Sequence, residues 1–374
     1  MKTKSLGSWL CKAGWGGRGR FLFLALAGTL LMVGCTKYPT SPIVPLAQLT
    51  VTPTATPTAT TKPALPTATT TPTTTPTSTG TATSTMSPTP QAGTAQPLTY
   101  IGQWGSAGTG PGQFNSRPYG IITDSNGNVF VADRGNCRIQ KFDSAGNYVG
   151  QWGTPGSGPG QFSTLNGICV DSSNNIYTVD DTNDNVQKFD DSGNYICQWG
   201  SHGSGPGQLA APRGVACDPS NNIFVVDAGN QNVQKFSNTG TLITRWSTYG
   251  STASSDPDGI CSDQHGCIYT PDYNNYCVFK YDNNGNYLCK WGSQGSGPGQ
   301  FGLLSCGICV DKNDICYVAD YGNRRVEDFT TTGTYLCEWG NTGANTLGPI
   351  DYLSLSPSGK VYVVDYPDVK IFGP

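Results

Sequence analysis

Short apolar segments separated by polar turns recur along most of the chain. In one unit the apolar segments are residues 167–171, 176–180, 186–189 and 195–200. The turns between them are rich in Asp, Asn, Ser and Gly, which accept the backbone conformations of tight hairpins. Segments of this length indicate β-strands. No stretch of the domain shows the apolar period of 3.6 residues that would indicate a helix. The pattern predicts an all-β domain built from four-stranded units.

An aspartate ends the predicted second strand of every unit. The six residues are Asp133, Asp180, Asp227, Asp272, Asp320 and Asp365, and successive members are 47, 47, 45, 48 and 45 residues apart. Four-stranded repeats of this length are typical of propeller blades. We therefore predict a six-bladed β-propeller. Because a catalytic group is needed only once, a carboxylate present in every blade is expected to be a turn residue.

The repeated motifs resemble those of the NHL-repeat family. They read Gly-X-Gly-Pro-Gly-Gln-Phe, then Pro-X-Gly-Ile, then Asp-X-X-Gly-Asn-X-Tyr-Val-X-Asp-X-X-Asn-X-Arg-Ile-Gln-Lys-Phe, and are clearest over residues 112–153. The resemblance extends over residues 99–374 and implies a six-bladed propeller, in agreement with the count of aspartates. Two departures stand out. Residues 251–255 replace the Gly-Pro-Gly-Gln-Phe stretch of the fourth unit, and Tyr352 replaces the first-strand glycine of the sixth.

The two ends of the repeat region complement each other. Residues 98–104 have the sequence of a fourth strand with no unit before it, whereas the last unit stops after its third strand at residues 369–372. We expect the N-terminal strand to complete the last blade, which removes an unpaired sheet edge. Six fourth-strand tryptophans occupy equivalent positions and are expected to pack between blades. They are Trp104, Trp152, Trp199, Trp246, Trp291 and Trp339.

The first 97 residues are expected to lie outside the propeller. Residues 1–34 resemble a bacterial lipoprotein signal peptide, with five basic residues before an apolar run and Gly34 before Cys35. Cys35 is the predicted lipidation site; simple secretion and an uncleaved anchor are the alternatives. Thr36 stands where Gram-negative lipoproteins held at the inner membrane carry Asp. We therefore expect an exported protein on the bacterial cell envelope, at the outer membrane or cell surface.

Residues 35–97 are predicted to form a disordered tether, and residues 98–374 the propeller. Within residues 51–90, 27 of 40 positions are Thr or Pro. Such a composition cannot bury a core. The tether would hold the propeller away from the membrane, which the protein is expected to contact through its lipid anchor alone.

Net charge argues against a nucleic-acid partner. All 25 acidic residues but only 15 of the 22 Lys and Arg lie beyond residue 98, which gives the propeller a net charge of −10. Some NHL propellers bind RNA on a basic face, whereas an exported acidic domain lacks both the charge and the access. We expect a monomer that binds a protein, a glycan or a small molecule.

Most of the cysteines are expected to be buried thiols. First-strand and fourth-strand cysteines of one blade lie roughly 14 Å apart, whereas a disulfide requires Cα atoms within about 7 Å. Two pairs flank first hairpins and are predicted as possible disulfides in an oxidising compartment. They are Cys309 with Cys316 and Cys261 with Cys267.

The sequence offers no catalytic constellation. His202 and His265 are the only histidines and lie in predicted loops, while Glu327 and Glu338 are the only glutamates. A histidine-based zinc site or a Ser-His-Asp triad is therefore not expected. We predict no catalytic residue, no metal ligand and no cofactor.

Residues that differ from blade to blade at equivalent exposed positions are better functional candidates. One such ring precedes the first-strand glycine and comprises Tyr119, Asn166, Arg213, Asp258, Cys306 and Asp351. The loops between second and third strands add Arg134, Asp181, Ala228, Tyr273, Tyr321 and Tyr366. Both sets are expected at one mouth of the central channel, where we place a ligand. The repeated Gln–Lys pairs, such as Gln140 and Lys141, are expected on the blade sides.

Two function classes remain. The first is a non-catalytic, surface-anchored propeller that acts as a binding or scaffold module. The second is an enzyme resembling the six-bladed lactonases and lyases, which hold a metal in the channel. The positive charge of Arg213 within the predicted ring opposes a divalent metal there, which favours the first class.

Overall fold

The computed structural model describes residues 96–248, 256–343 and 345–374. The predicted signal peptide, Cys35 and the tether up to residue 95 lie outside this part of the chain. The described residues form six four-stranded antiparallel sheets arranged as a β-propeller, which confirms the predicted fold. Among them, no helix is long and apolar enough to cross a membrane.

Each blade runs from an inner first strand at the channel to an outer fourth strand. The strands of blades 1 to 3 are Gly120–Thr123, Val129–Asp133, Arg138–Phe142 and Tyr148–Trp152; Leu165–Val170, Ile176–Asp180, Asn185–Phe189 and Tyr195–Trp199; Pro212–Cys217, Ile223–Asp227, Asn232–Phe236 and Leu242–Ser247. Those of blades 4 and 5 are Cys261–Ser262, Ile268–Asp272, Cys277–Tyr281 and Tyr287–Trp291; Leu304–Val310, Ile315–Asp320, Arg325–Thr330 and Tyr335–Trp339. Blade 6 contains Leu353–Leu355, Val361–Asp365, Asp368–Gly373 and Thr99–Trp104. A parallel pair, Thr154–Pro155 and Gln161–Phe162, and the 3-10 turns Arg134–Asn136 and Ala228–Asn230 complete the elements.

The aspartates that end the second strands are turn residues, as predicted. In blade 4, Asp272 Oδ1 accepts the backbone N–H groups of Asn274 and Asn275, each at 3.1 Å. Its Oδ2 accepts the side-chain amide of Asn275 at 2.9 Å. In blade 1, Asp133 also binds Arg138 Nε at 2.8 Å. These carboxylates are buried in the blades, so they do not line the channel.

The N-terminal strand closes the ring. Thr99–Trp104 pairs antiparallel with Asp368–Gly373, with Trp104 opposite Val369 and Tyr100 opposite Phe372. Tyr100 and Phe372 also make an edge-to-face ring contact at 5.9 Å. The last blade therefore has no unpaired third strand, as the ends of the sequence predict.

Each fourth-strand tryptophan packs against the next blade. Trp104 lies 4.1 Å from Phe142 between ring centroids, and Trp152 lies 6.1 Å from Phe189. In five of the six seams a hairpin glycine of the next blade covers the indole; a Cβ at Gly146 would lie 2.4 Å from Trp104. Because that glycine also has φ of 87°, no other residue fits the position easily. The tryptophans thus complete the seams between blades.

The repeated Gln–Lys pairs are internal, and their predicted place on the blade sides is wrong. Gln140 is fully buried. Its side-chain oxygen accepts the Gly112 N–H, and its side-chain nitrogen donates to the Gln113 carbonyl. Lys141 Nζ donates to the Asp191 carbonyl of the next blade at 2.9 Å. Lys188, Lys235 and Lys280 bind the same hairpin of their next blades. The repetition therefore reflects contacts between and within blades.

Blade 5 departs from this arrangement because it precedes the ring closure. Blade 6 combines the first strand of the propeller with its last three, so it has no hairpin between its third and fourth strands. A lysine on blade 5 would therefore find no hairpin carbonyl. Asp328 takes the lysine position and accepts a hydrogen bond from Trp339 Nε1 at 2.9 Å. The preceding residue, Glu327, takes the Gln position and is also fully buried.

Both predicted disulfides are wrong, since all four cysteines are free thiols. Cys309 is opposite Tyr317 and Val310 is opposite Cys316, so the two sulfurs lie on different faces of the sheet. Cys261 is opposite Tyr269, which puts Cys267 diagonally across at roughly 7–8 Å. Neither geometry permits a bridge. The thiols instead pack in the seams with apolar neighbours.

Candidate functional site

The predicted ring converges at one end of the central channel. The strand registers align Ile121, Ile308 and Leu353, opposite Val131, Val318 and Val363. The residues two places earlier, Tyr119, Cys306 and Asp351, therefore stand at one level. Glycines lie between these positions because neighbouring inner strands approach closely; a Cβ at Gly259 would lie 1.9 Å from the Cys306 carbonyl oxygen. We call this ring, with the loops between second and third strands, the channel mouth.

Arg213 is the centre of an ion-pair cluster at the channel mouth. Its guanidinium Nη1 lies 2.8 Å from Asp256 Oδ1 and also contacts Asp258 Oδ1. Asp258 is 8% exposed. Removal of Arg213 would leave a buried carboxylate without its cation, so this partly exposed residue has a structural role.

Arg117 forms a second cluster that the sequence analysis missed. Its guanidinium donates to Tyr321 Oη at 3.0 Å and to the Pro349 carbonyl at 2.8 Å, and lies 3.3 Å from Asp351. Arg117 and Asp256 occupy the same repeat position, two residues before Tyr119 and Asp258. That position also varies between blades, so the signal was present in the aligned repeats.

Aromatic and sulfur groups close the centre of the channel mouth. The Arg134 guanidinium lies 4.8 Å from the Tyr119 ring centroid, a cation–π contact. Tyr119 packs against Tyr352 with centroids 5.3 Å apart, and Cys306 Sγ lies 3.8 Å from Tyr119 Oη. Tyr352 is the residue that replaces the repeated glycine. A side chain at the equivalent glycines of the other five blades would meet the neighbouring inner strand, so blade 6 alone carries a ring here.

The other predicted residues surround this centre less tightly. Asn166 Nδ2 lies 3.4 Å from Asp181 Oδ2, whereas its buried Oδ1 accepts no hydrogen bond from the described residues. Tyr273 is half-buried, and Tyr366 is 40% exposed. These side chains leave polar and aromatic surface available at the rim.

Burial shifts the acid–base properties of the channel mouth. It raises the pKa of Asp258 to about 6, and the adjacent Arg213 guanidinium opposes the rise. Burial also raises the pKa of Asp351 against the opposing charges of Arg117 and Arg134. The Cys306 thiol, burial and Asp258 together raise the pKa of Tyr119, which keeps its hydroxyl protonated at neutral pH. The mouth therefore offers hydroxyl and guanidinium donors beside carboxyl groups.

The described residues do not form a metal centre. No group of three or more His, Cys, Asp or Glu side chains in residues 96–248, 256–343 and 345–374 is arranged to hold an ion. The two histidines lie on different faces of the ring. His202 Nδ1 is 2.8 Å from Asp184 in a loop after a second strand, and His265 lies in a first hairpin beside Asp314.

The comparisons with known proteins identify the fold. The sequence profile of a family described as a 6-bladed beta-propeller matches residues 113–190 and 174–246. No curated protein matches the sequence. Among solved structures, a protein of unknown function from Bacteroides thetaiotaomicron is similar with a TM-score of 0.58 and 17% identity, over 75% of this chain and 76% of that chain.

Two enzymes share the same architecture. A gluconolactonase from Xanthomonas campestris has a TM-score of 0.53 and 13% identity, over 70% of this chain and 86% of its own. A catalytically inactive His-to-Ala variant of virginiamycin B lyase from Staphylococcus aureus, solved with quinupristin, has a TM-score of 0.51 and 12% identity, over 69% and 84%. Sequence identities this low support a shared fold but not a shared activity.

Proposed function

We propose that this protein is a non-catalytic binding module: a propeller of the NHL-repeat type, exported and lipid-anchored at Cys35 on a bacterial cell envelope. Its channel mouth binds a protein, a glycan or a small molecule, and its acidic charge disfavours nucleic acid. The tether of residues 35–97 spaces the propeller from the membrane. The protein acts as a monomer.

One observation carries the proposal. The scaffold repeats from blade to blade, yet the side chains at the channel mouth vary between blades and form two arginine-centred clusters around an aromatic centre. Rigidly held Arg and Tyr side chains are typical anchors of binding sites. The unpartnered Asn166 Oδ1 adds an acceptor for a ligand donor.

The alternative is a lactonase- or lyase-like enzyme. The fold likeness to a gluconolactonase and to virginiamycin B lyase supports it. Against it stand the separation of the two histidines on opposite faces and the pairing of the mouth carboxylates with arginines. A binding module needs no further group, so we prefer it.

Substitution of Arg134 and Tyr273 together by Ala is expected to weaken ligand binding at least tenfold, about 1.4 kcal/mol. Both residues lie at the rim, and Asp351, which also feels the charge of Arg134, keeps its ion pair with Arg117, so the melting temperature should change little. Binding is measured with a partner recovered by surface cross-linking or glycan screening on the wild-type protein.

The matched control for this experiment replaces Tyr195 and Ile196 by Ala. These outer-strand residues of blade 2 are 36% and 47% exposed and lie on the side of the propeller. The control should bind like the wild type. Normal binding by the Arg134 and Tyr273 variant, together with loss of binding by the Tyr195 and Ile196 variant, would show that the ligand binds the outer strands and not the channel mouth.

Cys35→Ala is expected to leave the precursor uncut and to remove the protein from the lipidated membrane fraction. The basic, apolar and Gly-Cys order of the first 35 residues motivates this expectation. Metabolic labelling with a fatty-acid analogue and detergent partitioning measure the result. Cys11→Ala, within the signal, is the control; labelling of the Cys35→Ala protein would contradict lipidation there.

A further inference from the structure

A cavity lies inside the channel, below the closed centre of the mouth. The inner strands line this space, which has a volume of about 200 Å³. One aliphatic residue per blade lines it: Ile121, Ile168, Val215, Ile260, Ile308 and Leu353. Five cysteines also line it: Cys169, Cys217, Cys261, Cys306 and Cys309. Most of the side chains that line it are aliphatic groups or thiols, so a mostly apolar small molecule suits this space.

Blade 6 places two hydroxyl groups in this apolar wall. Ser354 is 1% exposed, and its Oγ has no hydrogen-bond partner among the described residues. The Tyr352 hydroxyl is also buried, with the Cys306 thiol, a weak partner, beside it. The other blades carry Ile122, Cys169, Ala216, Cys261 or Cys309 at the Ser354 position and glycine at the Tyr352 position. A buried hydroxyl without a partner costs about 1–3 kcal/mol, which a ligand hydrogen bond would offset.

The cavity opens toward the first-hairpin face, opposite the channel mouth. Val170, Val310 and Leu355 line both this cavity and a wider one of about 430 Å³ at that face. At the other end, Tyr119, Cys306 and Tyr352 are in contact and block access. The walls of the opening carry Asp124, Asp171 and Asp311 against Lys312, a net negative charge that disfavours anions.

We propose that the channel cavity binds a small neutral aromatic molecule that carries one hydroxyl group, and that this ligand enters from the first-hairpin face. The cavity volume suits one substituted ring. Thiol sulfur packs favourably against aromatic edges, and Ser354 and Tyr352 hydrogen-bond the ligand hydroxyl. This cavity shares Cys306 and Tyr352 with the centre of the channel mouth but opens on the opposite face, so binding in the cavity and binding at the mouth can fail independently.

The test uses p-cresol, toluene and p-hydroxybenzoate as probes on the intact protein, with calorimetry and saturation-transfer NMR as readouts. The wild type should bind p-cresol more tightly than toluene and should not bind the benzoate. Ser354→Ala and Tyr352→Phe should each weaken p-cresol binding at least fivefold and change toluene binding less than twofold. Ala216→Leu, which fills the cavity from blade 3, should abolish both.

Thr270→Val is the matched control. Thr270 Oγ1 is likewise buried with no hydrogen-bond partner among the described residues, but it lies in the second strand of blade 4 and does not line the cavity. This variant should bind p-cresol like the wild type. Absence of p-cresol binding to the wild type, or equal loss on Thr270→Val and Ser354→Ala, overturns the proposal. So does p-cresol affinity that both hydroxyl-removing variants leave unchanged.

Discussion

Deletion of residues 98–104 is expected to destabilise the whole propeller by more than about 4 kcal/mol. The deleted strand supplies the antiparallel ladder with Asp368–Gly373 and leaves that strand as an open edge. Trp104 also packs 4.1 Å from Phe142, so the seam between blades 6 and 1 loses its aromatic core. Because each blade depends on its neighbours, the loss should lower the melting temperature of the whole domain.

Circular dichroism and calorimetry measure this effect. Trp104→Ala should reproduce much of the loss, as expected for truncation of a large packed side chain. Ile101→Ala is the control, because Ile101 is 49% exposed on the same strand and should tolerate the change. A propeller that lacks residues 98–104 and still melts like the wild type would show that the strand does not close the ring.

Asp328→Asn is expected to stabilise the protein above pH 7 by up to about 4 kcal/mol. Burial raises the pKa of Asp328 to about 7 in the folded state, even though Trp339 and Cys337 donate hydrogen bonds that oppose the rise; Asp311 adds to it. Between about pH 4 and 7, Asp328 is therefore protonated in the folded protein and ionised in the unfolded chain. The free energy of unfolding falls as the pH rises through this range. Asparagine can still accept the Trp339 bond but carries no charge to bury.

Thermal melts from pH 4 to 8 test the direction of this pH dependence. The difference between Asp328→Asn and the wild type should be small near pH 4, grow toward pH 7 and then level. Burial also raises the pKa of Glu327 to about 7, so the variant should retain part of the slope until Glu327→Gln is added. Asp191→Asn, at a carboxylate 46% exposed, is the control. An Asp328→Asn protein less stable than the wild type at pH 8 would refute the burial argument.

The fold was predictable because the repeats supply the same evidence six times. Spacing of Asp133 and its equivalents sets the blade count, and the unmatched strand at residues 98–104 identifies the closure. At the channel mouth, alignment of the repeats brought Tyr119, Arg213 and Asp258 to one level, as the registers place them. Alignment of the repeats was thus a usable signal for which side chains meet at this level.

Contacts between blades were not predictable from one unit. The partners of Arg213 and Arg117 come from the next blade or across the closure, so their pairing depends on the ring geometry. The Gln140 and Lys141 repeat resembled surface because polar residues usually are exposed, whereas here they bond to neighbouring loops. The disulfide expected between Cys309 and Cys316 failed because a one-residue register offset moves a side chain to the other face of a strand.

The tryptophan seams make the propeller comparable to a ring assembled from six units. Each blade offers an indole on one side and an aromatic third-strand residue on the other, so the seams are heterologous, head-to-tail interfaces around a pseudo-sixfold axis. A fragment cut between two blades would carry both halves of such an interface at its ends. Because the rotation between blades closes after six steps, such fragments are expected to complement one another in trans as closed rings. The covalent return of the chain to blade 6 is what confines this self-complementary unit to one closed particle.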